Sequence, residues 1–190
     1  MGIMTTEAIG GEFQQREHFR SATDITTDVV VRRRITLWEP TPVKNKTLMD
    51  LYRYWEALRP DGFLPNRADF DMDKLRPIMG MASVVDVDCN DPMDYRIRLQ
   101  GSRLPLKSDH SKHAISDIAS VAYQEMLAID YRAAKEIGTP AYHEIAARLD
   151  YLTHSYARLI LPFAKDGRRV DQLYVCSILV KFPDLLEALH

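Results

Sequence analysis

Residues 109–113 read DHSKH and form the most chemically suggestive cluster in the sequence. On a helix, the H-x-x-H spacing would place the imidazoles of His110 and His113 on one face, where they could ligate a metal ion. A single histidine there could also ligate a haem iron. However, no third zinc ligand is recognisable nearby and the neighbouring residues are hydrophilic. We therefore expect exposed histidines and no metal site.

A second candidate is the segment FLPNRADFD, residues 63–71, in which a guanidinium and a carboxylate stand two residues apart, at Arg67 and Asp69. The arginine could bind an anion, or it could be part of a structural clasp. In the clasp, Asp71 caps a following helix and Arg67 pairs with a carboxylate such as that of Glu56, Asp69 or Asp86. We favour the clasp, because the segment has the chemistry of a joint between two elements.

Motifs for covalent catalysis are absent from the sequence. There is no G-x-S-x-G, and Cys89 and Cys176 are far apart and form no C-x-x-C pair, so neither a nucleophile elbow, a disulfide framework nor a zinc site is indicated. An enzymatic alternative stays open at this point. It is a small α+β cup hydrolase or isomerase that uses His110 or His143 with an aspartate as an acid–base pair.

The charge balance argues against nucleic acid and anionic lipid as partners. The 190 residues contain 25 Lys and Arg against 27 Asp and Glu, a net charge of −2. The one basic run, VRRR at 31–34, fits a solvated strand edge or a flexible arm. The longest apolar-rich run, LYVCSILV at 173–180, is far too short to cross a bilayer. We expect a cytoplasmic protein that neither spans nor binds a membrane.

Periodicity divides the chain into an N-terminal extension, 1–46, and one domain, 47–190. The domain begins with an amphipathic helix from Thr47 to Arg59, whose apolar stripe comprises Leu48, Leu51, Trp55 and Leu58. Such a stripe must dock either on its own sheet or on another chain. We favour a homodimer over docking within the chain.

The remainder alternates between strand and helix patterns. ASVVDVD and DYRIRLQ predict a hairpin, with Asp86 opposite Arg96 if no bulge intervenes. A helix over 119–137 follows, with an apolar stripe of Ala122, Met126, Ile129, Ala133 and Ile137. Strands are predicted over about 141–148, 153–163 and 170–182. The order is therefore helix, two strands, a helical block and three strands, which indicates an α+β fold.

Several segments in this order resemble one family. YWEALRPDGFLPNRADFD, VVDVD, DYRIRLQGSRL, GTP and RLILPFAKDGRRVDQLYV are similar to a bacterial family of small single-domain PAS proteins, once catalogued as a domain of unknown function. The resemblance covers roughly residues 48–180. It implies a PAS-like fold, with a five-stranded antiparallel sheet, a helical wall on one face and flanking N-terminal helices. It also implies a sensory or interaction module without catalysis.

From this arrangement we expect a set of apolar side chains to converge between sheet and helices, where they line a pocket or fill a core: Tyr95, Ile97, Leu99, Met126, Leu159, Cys176 and Ile178. The predicted function is a cytoplasmic signal-transduction module that binds a small apolar or amphipathic ligand, a protein partner, or both. The cofactor is unknown. The third possibility is a structural dimerisation protein with a filled core.

Overall fold

An eight-stranded antiparallel sheet organises the chain. The computed structural model describes residues 3–9, 12–20, 28–37, 43–59, 62–104, 109–149 and 152–189. Its strands are β1 Ile3–Ile9, β2 Glu12–Arg20, β3 Asp28–Thr36, β4 Ala82–Asp86, β5 Arg96–Leu99, β6 Ala141–Leu149, β7 Leu152–Phe163 and β8 Gln172–Leu179. They lie side by side in the order β1-β2-β3-β6-β7-β8-β4-β5.

Four helices accompany the sheet: α1 Lys46–Ala57, α2 Met72–Leu75, α3 Val121–Ile137 and α4 Pro183–Glu187. Helix α1 begins one residue before the predicted start, because Asn45 rather than Thr47 accepts the Leu48 amide. Asp71 caps α2 as predicted, and its side chain accepts the Asp73 amide at 2.9 Å. Helix α3 ends at Gly138, whose φ of 66° is the left-handed conformation that glycine adopts readily.

The helices cover the sheet from both sides. Directly paired residues of antiparallel strands project to the same face, so the register of β6, β7 and β8 defines two faces. Leu159, paired with Cys176, projects to one face, where α1 packs. Arg158, paired with His143 and Ser177, projects to the other, where α3 packs. We name these the α1 face and the α3 face.

The predicted α+β PAS-like architecture is confirmed, but the sheet has eight strands rather than five. The additional strands, β1 to β3, come from residues 1–46 and extend the sheet beyond β6. Strand β3 lies inside the sheet, so the prediction that VRRR forms a solvated edge or an arm is wrong. Arg32 pairs with Glu144 and with Asp184, the latter at 2.7 Å, and this joins β3, β6 and α4.

The predicted stripe on α3 is displaced around the helix. Ala122 and Met126 are buried as expected, but Ile129 and Ile137 are each 48% exposed and Ala133 is exposed. The buried face instead runs through Asp130. A charged residue occupies the centre of this face because two arginines neutralise it there, and an apolar pattern cannot reveal such a position.

Candidate functional site

A cavity of about 360 Å³ lies on the α3 face. Its walls are formed by β4, β5, β7 and β8, by α3, and by the segments at 100–104 and 110–118. The second segment is held against the sheet because residues 112–115 bond the free edge of β5. The amide of Ile97 donates to the His113 carbonyl at 2.9 Å, and the amide of Ile115 donates to the Tyr95 carbonyl at 3.0 Å. The edge strand thus helps to form the cavity wall.

The cavity wall is largely apolar, with polar groups among it. The apolar side chains include Ile97, Ile118, Leu127, Val175, Ile178 and Leu179. The polar side chains include Gln100, His110, Tyr123, Tyr131, His154, Tyr156, Arg158 and Ser177. An apolar wall with a few polar groups is typical of a site for a small molecule, and the volume lies at the lower end of the usual range for such sites.

Arg158 is the most deeply buried charged group of the wall, only 1% exposed. Its Nη2 donates to Asp130 and, at 2.8 Å, to Nδ1 of His143. Asp130 also accepts from Arg34 on β3, which pairs in turn with Glu17 on β2. A chain of charged contacts therefore leads from the cavity wall through α3 to the N-terminal strands.

The buried charges control each other's pKa. Burial alone would raise the pKa of Asp130, but nearby His143, Arg158 and Arg34 outweigh it and hold that pKa well below its usual range. Burial is the main cause that lowers the pKa of His143, and together with the charges of Arg158 and Arg34 it outweighs the opposite effect of Asp130. Arg158 and Asp130 are therefore an ion pair at neutral pH, while His143 is neutral and accepts a hydrogen bond at Nδ1.

The three tyrosines beside Arg158 are neutral donors. Burial is the main cause that raises the pKa of Tyr123, Tyr131 and Tyr156. The guanidinium carbon of Arg158 lies 5.8 Å from the centroid of the Tyr131 ring, a cation–π distance. Burial and neighbouring His113 lower the pKa of half-buried His110, which lines the cavity wall as well.

The predicted pocket residues are divided between the two faces. Ile97 lies on the cavity wall, and Ile178 borders the cavity although its pairing with Ala157 places it on the same face as Cys176. Met126 is buried behind it, with its sulfur 3.5 Å from Arg158 Nη2. Leu159 and Cys176 are fully buried but pair with each other on the α1 face. Tyr95 is buried but does not line the cavity.

The hairpin prediction holds for three of its positions and fails at the fourth. Asp86 is paired with Arg96, Ile97 is buried and Arg96 is exposed, as predicted. A bulge follows, because Val84 pairs with Leu99 and Val85 with Ile97. Leu99 is consequently 47% exposed, so its predicted place on the core face is wrong. The ion pair of Asp86 is formed with Arg98, at 3.0 Å.

The two motifs that first suggested chemistry have other roles. DHSKH forms a turn rather than a helix, with His113 exposed and His110 half-buried at the cavity. Within the described ranges no three His, Cys, Asp or Glu side chains converge as metal ligands. Arg67 forms no ion pair with Glu56, Asp69 or Asp86, so that part of the clasp prediction is wrong. It lies over the rings of Phe70 and Tyr174, at 5.5 and 5.7 Å.

The apolar stripe of α1 docks within the chain. Leu48, Leu51 and Trp55 are buried, and the indole nitrogen of Trp55 donates to the Pro162 carbonyl at 2.9 Å. Tyr54 stacks on Phe70, with ring centroids 5.1 Å apart. The stripe therefore needs no second chain, and the argument for a homodimer through this helix is lost.

Sequence reasoning missed the polar side of the cavity. Arg158, Tyr156, Ser177 and Val175 occupy the positions between the apolar residues that were selected on β7 and β8. The alternation of residues along β7 and β8 identified two faces of the sheet, but it led us to favour the more apolar face as the binding face. A signal was present in the sequence, since an arginine between runs of apolar residues in a central strand indicates a buried charge with a functional or structural partner.

An antiparallel sheet with a helical wall beside a cavity is an α+β fold of the PAS type. A family model described as a PAS domain matches residues 43–174. The chain belongs to the PAS domain family, as the sequence motifs predicted. Members are typically sensory modules rather than catalysts. Searches of curated proteins and of solved structures found no match. Among the described residues, no helix has the length and apolar character that crossing a bilayer requires.

Proposed function

We propose that this chain is a sensory module that binds a small apolar or amphipathic ligand in the cavity on the α3 face and signals to a protein partner. The observation that carries the proposal is the cavity itself, about 360 Å³ with a largely apolar wall, inside a PAS domain. The cavity is partly open to solvent, and an apolar ligand that covers its wall is stabilised because apolar surface is removed from water.

The contacts around the cavity suggest how occupancy could be transmitted. Helix α3 contributes Leu127 to the cavity wall and Asp130 to the charged chain that reaches Arg34 on β3. A ligand that shifts Arg158 or α3 therefore changes contacts of the N-terminal strands. Signalling through such contacts requires that the ligand favour one of two arrangements of these elements.

The enzymatic alternative gains no support from the geometry. His143 is buried, and its Nδ1 already accepts from Arg158. His110 lines the cavity, and its backbone amide donates to Gln100 Oε1 at 3.1 Å. This hydrogen bond does not involve the imidazole. His143 Nδ1 lies 3.5 Å from Asp130, but both side chains are buried, whereas hydrolysis or isomerisation would need an accessible acid–base pair.

Native mass spectrometry of the full chain purified from its own host tests the proposal. We expect a co-purifying small molecule that is lost in Ser177→Trp, because Ser177 lies on the cavity wall beside Arg158. Leu99→Trp is the matched control, since Leu99 is exposed on the same sheet and does not line the cavity. Retention of the molecule by folded Ser177→Trp would show that it binds elsewhere, and a protein free of small molecules would count against a sensor.

A further inference from the structure

The guanidinium of Arg158 is incompletely hydrogen-bonded although it is fully buried. Nη2 has Asp130 and His143 as partners, but among the described residues Nε and Nη1 have no hydrogen-bond partner. A buried N–H without an acceptor costs the free energy of its lost hydration. Arg158 lines the cavity, so a molecule bound there is the natural source of the missing acceptor.

The charge around Arg158 is also incompletely balanced. Asp130 is shared between Arg158 and Arg34, so one buried carboxylate faces two guanidinium groups. The second carboxylate, Glu17, contacts Arg34 only through Nη1 and is about one-third exposed, so solvent screens it. Its effect on Arg158 is correspondingly weak, and the cavity end near Arg158 has a surplus of positive charge.

The other groups of the cavity wall do not offset this surplus. No Asp or Glu lines the cavity as far as its wall is described, whereas Arg103 and Arg158 both do. The neighbouring hydroxyl groups of Tyr123 and Tyr156 are neutral and can donate hydrogen bonds. The polar end of the cavity thus offers donors and positive charge, while the remainder is apolar.

Resting on the proposed function, we infer that the ligand is an amphipathic carboxylate whose anionic group lies against Arg158 and whose apolar body fills the remainder of the cavity. A carboxylate supplies negative charge and acceptors to a guanidinium whose Nε and Nη1 have no hydrogen-bond partner among the described residues. Its two oxygens accept several hydrogen bonds, and hydrogen bonds between a guanidinium and a carboxylate are among the strongest in proteins. A medium-length acyl chain or one aromatic ring system suits the cavity volume.

Calorimetric titration of the full chain with decanoate and with 1-decanol tests the inference. The two probes share their apolar chain and differ in the anionic group. We expect decanoate to bind at least about tenfold more tightly, as one charge-assisted hydrogen bond is sufficient to produce this ratio. Arg158→Lys should reduce the ratio, because the guanidinium N–H groups are lost. Arg103→Met is the control and should preserve it, since Arg103 is exposed at the cavity rim.

The outcomes separate this inference from the proposed function. Equal affinities for the two probes, both abolished by Ser177→Trp, would overturn the carboxylate inference and leave the cavity as a binding site. Absence of binding by either probe would count against both. If the preference for decanoate over 1-decanol were lost in Arg103→Met but kept in Arg158→Lys, the role of Arg158 would be overturned.

Arg158→Lys leaves Asp130 with weaker contacts and could fail to fold. The unmodified protein supplies a second measurement, the nuclear magnetic resonance signal of the Arg158 Nε–H group. Decanoate should shift this signal and 1-decanol should shift it less. An Arg158 signal that decanoate leaves unchanged while it binds would overturn the inference.

Discussion

The two faces of the sheet differ in the residues that they bury. On the α1 face, aromatic and aliphatic side chains fill the space, and Phe70 contacts Phe163 and Tyr174 with ring centroids 5.0 and 5.1 Å away. On the α3 face, Arg158 and Asp130 lie beside a cavity of about 360 Å³. The first face has the packing of a structural core. The second combines buried charges with open space, as expected of the proposed binding site.

This difference shows that burial alone does not identify a site. Leu159 and Arg158 are adjacent in β7 and are equally inaccessible to solvent, yet they belong to different faces. The charged residue is kept on the cavity side, where hydrogen bonds and ion pairs offset its lost hydration.

The largest effect is expected from Asp130→Asn. The change removes the carboxylate charge that buried Arg158 and partly buried Arg34 share, and breaking a buried pair typically costs about 3–5 kcal/mol of unfolding free energy. Urea denaturation measures it. Asp73→Asn is the control, because its ion pair with Arg76 is exposed, and it should change stability by no more than about 0.5 kcal/mol. Similar costs for the two variants would show that the buried network does not support the α3 face.

A leucine pair compares the packing of the two faces. Leu159→Ala creates a new void in the filled α1 face and should cost about 2–5 kcal/mol. Leu127→Ala enlarges a cavity that already exists, so fewer packing contacts are lost. Its cost in unfolding free energy should be lower than that of Leu159→Ala by roughly 1 kcal/mol or more. Equal costs, measured by urea denaturation, would mean that the space next to Leu127 is as tightly packed as that next to Leu159.

Tryptophan insertions test the same contrast from the opposite direction. Leu159→Trp should overpack the α1 face at a cost of about 1–3 kcal/mol. Ser177→Trp has the cavity to accommodate the indole and should cost less. Thermal unfolding compares them. A Ser177→Trp variant that is destabilised as strongly as Leu159→Trp would contradict an open cavity on the α3 face.

The smallest effect concerns pH. Because burial, together with Arg158 and Arg34, outweighs the opposite effect of Asp130 and lowers the folded-state pKa of His143, the unfolded chain takes up this proton first on acidification. The contribution of neutral His143 to the unfolding free energy is complete above about pH 6.5, the ordinary pKa of histidine. It is lost as the pH falls below that value. His143→Gln should weaken the decline of unfolding free energy between pH 7 and 5. Urea denaturation at several pH values measures it, and a decline in His143→Gln as steep as in the unmodified protein would contradict this role of His143.

The sequence was sufficient for the architecture of the domain. The order of helical and alternating segments, together with the motifs, predicted the PAS-like fold, and the paired apolar runs of β7 and β8 do share one face. Two kinds of feature could not be predicted from the periodicity of the sequence. The bulge at Val84 and Val85 depends on packing between strands and moved Leu99 outward. The burial of Asp130 and Arg158 depends on partners that lie far away in the sequence. The local sequence around either residue therefore does not indicate that its side chain is buried.

The N-terminal strands illustrate the same limit. DVVVRRRITLW suggested a short strand, and β3 forms there, but its arginines appeared solvated. Arg32 and Arg34 instead contact acidic residues of β6, α3 and α4. Only the fold brings these carboxylates to the arginines.

The central claim is that ligands enter the α3 face and that the α1 face is solid. A methyl-resolved nuclear magnetic resonance titration with decanoate tests it most directly, because both faces are observed in one sample. We predict that decanoate shifts the methyl signals of Leu127, Val175 and Ile118, which line the cavity, and leaves those of Leu159 and Leu48 unchanged. Shifts confined to Leu159 and Leu48, or saturating binding that moves neither group, would contradict the account.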